Sequence, residues 1–80
     1  MLINIEEGQI YQSPNGVKIL ITNSTPVTEE IIGEKITGLY CYITPFGYTS
    51  RIADCVVVGL KKIAEYKTWR EAANSKEFTI

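Results

Sequence analysis

The segment from Gln9 to Thr22 spells its own local fold. Gln9-Ile10-Tyr11-Gln12 and Val17-Lys18-Ile19-Leu20-Ile21-Thr22 flank Ser13-Pro14-Asn15-Gly16. Proline presets the first turn dihedral and Asn-Gly supplies residues that tolerate positive φ, so the two extended arms fold back as a β-hairpin. Period-two geometry then sets Val17, Ile19 and Ile21 on one face of the second arm and Lys18, Leu20 and Thr22 on the other.

Upstream, Leu2 to Ile5 alternates weakly and meets a turn at Glu6-Glu7-Gly8. Downstream, Asn23-Ser24-Thr25-Pro26 interrupts the pattern, because proline cannot donate to a central ladder. Thr28-Glu29-Glu30-Ile31-Ile32 reads either as a short helical turn or as a strand edge, with Gly33 and Gly38 marking a bend or bulge. Ile36 to Ile43, rich in β-branched and aromatic residues, predicts a strand with Leu39, Cys41 and Ile43 opposite Tyr40 and Tyr42. Thr44 to Thr49 makes a loop and Ser50 to Ala53 resumes extended structure, completing a second hairpin. Beyond it, Val56, Leu60, Ile63 and Ala64 are spaced to share a helix face, with Asp54 as N-cap and Lys61, Lys62 and Glu65 turned away. Helix is favoured there over strand, although three consecutive valines and Gly59 are poor helix formers. Thr68-Trp69-Arg70-Glu71 spells a capping box that opens a short helix through Asn74, and Phe78 and Ile80 read as a last short strand.

Strands first and helices last predict an α+β fold, with residues 1–80 forming a single domain in which a small curved antiparallel sheet packs against C-terminal helices. Its most economical version is a five-stranded SH3-like or OB-like β-barrel, since closure reduces the exposed edges that a small domain tolerates poorly.

Composition limits the chemistry. A chain of 80 residues, 45% of them hydrophobic, has a thin core and little room for a deep catalytic cavity, a shortage that assembly as a homo-oligomer relieves. There is no histidine, which removes Ser-His-Asp and Cys-His relays and the two-His zinc signatures. Cys41 and Cys55 are too few for a thiolate zinc site and too far apart for a C-x-x-C motif, so both read as small buried hydrophobes with free thiols. Carboxylates occur without a spacing that forces two into one pocket. The expectation is a protein that is not an enzyme, with no metal and no cofactor. Eight basic against nine acidic residues, a net charge of -1, argue against a nucleic-acid binder that relies on counterion release. No apolar run approaches the roughly 20 residues of a membrane span, and the first residues lack a basic leader and an apolar signal core. A cytoplasmic location with no membrane contact is therefore expected.

One loop holds the parts of a recognition site. Thr44-Pro45-Phe46-Gly47-Tyr48-Thr49-Ser50-Arg51 places two aromatic faces, three hydroxyls of Thr and Ser residues, a glycine and a guanidinium within eight residues. Phe46 and Tyr48 are suited to stack on a base, Arg51 to pair with a phosphate, and Thr49 or Ser50 to donate to it. The bland alternative is a hairpin turn whose rings cover the end of a thin core. Neither G-x-x-x-x-G-K-[ST] nor G-x-G-x-x-G occurs. Tyr40 and Tyr42 give one sheet face an aromatic stripe, suited to core or subunit interface. Charge is split: residues 1–50 carry two basic and five acidic groups, and residues 51–80 carry six basic and four acidic.

Glu65-Tyr66-Lys67-Thr68-Trp69-Arg70-Glu71-Ala72-Ala73-Asn74-Ser75-Lys76-Glu77-Phe78, with Glu7-Gly8-Gln9-Ile10-Tyr11, resembles small accessory proteins of phages and prophages of low-GC Gram-positive bacteria. The resemblance covers about a third of the chain, and its motifs are structural rather than catalytic. It implies an anti-defence protein of the host cell cytoplasm. Such a protein either sequesters a small-molecule nucleotide signal, a cyclic nucleotide in this reading, or inhibits a host defence protein through the acidic segment Glu29, Glu30 and Glu34 or the aromatic sheet face.

Overall fold

The computed structural model describes residues 5–79, in the order β1 (Gln9–Gln12), β2 (Lys18–Ile21), β3 (Val27–Ile31), β4 (Glu34–Ile43), β5 (Thr49–Ala53), α1 (Asp54–Val57), β6 (Lys61–Glu65) and α2 (Trp69–Ala73). All six strands join one antiparallel sheet of order β3-β4-β2-β1-β6, with β5 on the other side of β4. β2 and β3 lie along one edge of β4, split by the Asn23–Pro26 break, where the Asn23 side-chain oxygen accepts from the Cys41 amide at 2.7 Å.

Alternation along the central strands sends apolar side chains to both faces, and both are covered. On one side Ile5, Tyr11, Ile19, Ile21 and Val57 of α1 pack with Tyr40, Tyr42, Ile52 and Leu60. On the other, Ile10 and Leu20 meet Ala72 of α2 and Phe78, with Ile43, Ile63, Tyr66 and Trp69 around them. The two tyrosines on β4 thus belong to the core. Burial raises the ionisation point of Tyr11, and its hydroxyl donates to Gln9 at 2.7 Å.

The first hairpin, the strand at Ile43 and its hairpin with β5 form as the sequence predicts. Thr68 caps α2, its hydroxyl accepting from the Glu71 amide at 3.2 Å, and the Glu7 carboxylate accepts from the Trp69 amide at 2.9 Å. The ambiguous segment after Pro26 is strand. Four expectations are corrected. The ladder does not close: among the described residues β6 pairs only with β1 and β5 only with β4, so the sheet is open and not a barrel. The helix after Ala53 lasts four residues, with Ala53 and not Asp54 at its N-cap, and Lys61–Glu65 is strand. Pairing with β1 outweighs a helical spacing that valines and glycine already weakened. Cys55 is exposed, because α1 turns only Val57 fully inward, and Cys41 on β4 is half-buried. Phe78 is buried in a turn and not in a strand. Residues 1–4, and with them most of the expected first strand, and Ile80 lie outside the described residues. No helix among the described residues is long and apolar enough to cross a membrane.

Candidate functional site

Two turns of the same build stand side by side at one end of the sheet. In Ser13-Pro14-Asn15-Gly16-Val17 the Ser13 amide donates to the Val17 carbonyl and the Gly16 amide to the Ser13 carbonyl, both at 2.9 Å. In Thr44-Pro45-Phe46-Gly47-Tyr48 the Thr44 amide donates to the Tyr48 carbonyl and the Gly47 amide to the Thr44 carbonyl, again both at 2.9 Å. In each, the leading hydroxyl accepts from the amide four residues on, at 3.1 Å for Ser13 and 3.2 Å for Thr44. Gly16 and Gly47 take φ of 90° and 87°, the left-handed position that closes a three-residue hairpin loop. The residue before that glycine sits at the outermost corner of the turn. Asn15 occupies it in one loop and Phe46 in the other, which is why Phe46 is 83% exposed.

The register explains why the turns are neighbours. Leu20 pairs with Ile43, so continuing the antiparallel count brings Lys18 level with Pro45. Between the turns lies a groove of about 590 Å³ lined by Asn15, Gly16, Val17, Lys18, Thr44, Pro45, Phe46, Tyr48 and Thr79. Tyr48 is 62% exposed there, and Val17 is also exposed. The lining holds two aromatic rings and one ammonium, Lys18, which also attracts the Glu77 carboxylate outside the lining.

The residues singled out in the sequence divide between two places. Phe46 and Tyr48 share the groove, whereas Thr49, Ser50 and Arg51 line a separate cavity of about 220 Å³ with Thr22, Cys41, Tyr42 and Ile43. Arg51 stands opposite Cys41 and reaches Glu29 on β3, with an N–O distance of 2.6 Å. Its guanidinium is therefore occupied and turned from the rings. The cation beside the aromatics is Lys18, which sequence reading missed. The usable signal was the recurrence of Ser-Pro-x-Gly as Thr-Pro-x-Gly, which marks the two loops as a matched pair. Trp69 carries Arg70 over its ring at 5.6 Å, away from the groove lining.

Among the described residues, no group of three or more His, Cys, Asp or Glu side chains is placed to hold a metal ion. Compared with known proteins, the chain matches no family model, no curated sequence and no solved structure.

Proposed function

We propose that the chain is a non-catalytic binding protein whose groove sequesters a small anionic ligand carrying an aromatic ring system, of the class of a cyclic nucleotide signal. The observation that carries this reading is the exposure of Phe46 and Tyr48 on one groove with Lys18. Neither ring is among the residues that build the two core clusters, so their apolar faces stand in water without serving the fold. Stacking a base on such a ring returns about 1–3 kcal/mol. Lys18 supplies a charge-assisted contact to phosphate and the hydroxyls of Thr44 and Tyr48 add donors, that of Thr79 being given to the Lys76 carbonyl. Relative to the sequence expectation, the phosphate-pairing role passes from Arg51 to Lys18. The resemblance to phage accessory proteins adds the biological setting, capture of a nucleotide immune signal in the host cytoplasm.

Calorimetric titration with a panel of cyclic dinucleotides tests the reading. Binding is expected for at least one, weakened at least tenfold by Phe46→Ala and by Lys18→Ala, and changed less than twofold by Arg51→Ala. Absence of binding across the panel, or a Phe46→Ala protein that binds as well as the original, refutes it.

A further inference from the structure

The other end of β4 carries a feature that the groove does not use. β3 and the first residues of β4 form a projecting two-stranded arm, and the molecule is drawn out to 41 × 30 × 25 Å. Ile31, Ile32 and Ile36 are exposed on it, and Ile32, at the tip, is 98% exposed. Ile32 also has φ 51° and is followed by Gly33 at φ 80°. A hairpin corner with two positive φ angles favours asparagine, aspartate or glycine at its first position, and a β-branched residue is strained there. The tip thus holds a residue that suits neither the turn nor water. Such an outlier points from structure towards a function.

Among the described residues β3 bonds only to β4 and β6 only to β1, so each leaves an unpaired strand edge. The β3 edge reads Val-Thr-Glu-Glu-Ile and the β6 edge Lys-Lys-Ile-Ala-Glu. Antiparallel pairing of β3 with a second β3 about its centre sets Glu29 against Glu29, which like-charge repulsion disfavours. Pairing with β6 does the reverse. We infer that the β3 edge of one copy of this chain adds to the β6 edge of a second copy, with Glu30 opposite Lys61 and Glu29 opposite Lys62. The same register ends β3 at Ile31 beside Leu60 and brings the turn at Ile32 towards the Val58–Gly59 turn that precedes β6 of the neighbour. Gly59 borders a small cavity of about 170 Å³ lined also by Gln12, Ser13, Pro14 and Lys61, and Val56 of α1 and Val58 just after it are exposed. Acid then meets base along the strands, while the strained apolar tip comes beside a turn that exposes Val56 and Val58. Of the existing ion pairs, Lys62 with Glu65 is exposed on both sides, and Arg51 with Glu29 joins an exposed guanidinium to a half-buried carboxylate. Because the two edges differ, each copy offers β3 to one neighbour and β6 to another, and the assembly grows head to tail into a ring or a chain.

Sedimentation velocity over a concentration series tests this with the whole chain. The original protein is expected to pass from a 9.0 kDa monomer to larger species as concentration rises. The double variants Glu29→Lys/Glu30→Lys and Lys61→Glu/Lys62→Glu are each expected to raise the half-association concentration by on the order of a hundredfold. Mixed in equal amounts they regain complementary edges and assemble alternately. Ile32→Asn is expected to weaken association about tenfold while raising the melting temperature of the dilute monomer, a pair of opposite effects that a purely structural tip does not give. A protein that stays monomeric at every concentration, a mixture that does not assemble, or an Ile32→Asn variant that associates like the original overturns the inference.

Discussion

Gly8 is the position where one methyl group has the largest consequence. It joins the N-terminal turn to β1 with φ 92°, and its amide and carbonyl tie two elements: the amide donates to the Ile21 carbonyl at 2.9 Å and the carbonyl accepts from the Tyr66 amide at 3.0 Å. A Cβ built on Gly8 falls 2.2 Å from the Tyr66 carbonyl oxygen and 3.2 Å from that of Thr68. Gly16 has nearly the same φ, 90°, yet a Cβ there meets nothing within 4 Å. Comparing the two substitutions to alanine separates backbone strain from overlap. Gly16→Ala bears the left-handed penalty of about 1–2 kcal/mol, partly offset by the lost freedom of the unfolded chain, for a net cost of about 1 kcal/mol. Gly8→Ala bears the same penalty. It must also displace backbone of the β6–α2 connection, adding about 1–3 kcal/mol of overpacking and about 1 kcal/mol for the bond to Tyr66. The expected total is about 3–5 kcal/mol, a large part of the stability of a domain this size. Urea unfolding followed by tryptophan fluorescence measures both, since Trp69 lies on α2 directly after the displaced segment. If the two variants shift the urea midpoint equally, the close approach of Gly8 to Tyr66 is not what ties the C-terminal segment to the sheet.

Other expectations concern the core, the α2 cap and acid. Val57→Ala empties space under α1, where the side chain is fully buried, and is expected to cost about 2 kcal/mol; Val56→Ala, on an exposed side chain, stays within about 0.5 kcal/mol in the same urea assay. Glu7→Ala removes the acceptor of the Trp69 amide and is expected to cost about 1 kcal/mol, with added exchange of the α2 amides seen by hydrogen-deuterium exchange. Glu77 is held below its ordinary value of 4.5 chiefly by the Tyr66 hydroxyl, and Glu65 chiefly by the Gln9 amide. Both carboxylates favour the folded state when ionised, so their contribution is complete above that ordinary value and disappears as pH falls through the lowered ones. The urea midpoint is expected to drop on acidification through this window, and Glu77→Gln to flatten part of the drop.

What was legible in the sequence was local, and what was not depended on partners far along the chain. The turn at Pro14-Asn15-Gly16 and the cap at Thr68 are set by residues within five positions, and both form as read. Lys61–Glu65 shows the opposite case. Its apolar residues fit a helical period over a short window, but β1 has a free edge in need of a partner, and three valines and Gly59 stop the helix first. Closure into a barrel was inferred from the disadvantage of edges, a pressure that assembly also relieves. Phe46 and Tyr48 stand exposed because their turn fixes them outward. Arg51 stands apart from them, because closeness in sequence says nothing of which cavity a strand residue faces, and its register with Cys41 brings it within reach of Glu29. Lys18 was hidden for the same reason, since only the pairing of β2 with β4 places the first turn beside the second.

The groove and the arm are linked through neighbouring copies and not within one. β4 spans ten residues, so its two ends, the arm at Glu34 and the groove beyond Ile43, lie about 30 Å apart in the same molecule. In the proposed assembly, however, the incoming tip arrives at the turn before β6, beside the cavity that Gln12, Ser13 and Pro14 line on one side of the turn whose Asn15, Gly16 and Val17 form a groove wall. A neighbour's tip therefore braces that wall. Bracing removes ordering that the ligand would otherwise have to supply, so nucleotide affinity is expected to be higher in the assembled protein than in the monomeric Lys61→Glu/Lys62→Glu variant. Linkage requires the reciprocal effect: saturating nucleotide lowers the half-association concentration of the original protein by the same factor per bound interface. Calorimetry on both proteins and sedimentation with and without nucleotide give the two factors independently. Unequal affinities without a matching shift in association would place the cause in the substituted lysines themselves, and equal affinities would mean that the turn is already rigid in the monomer.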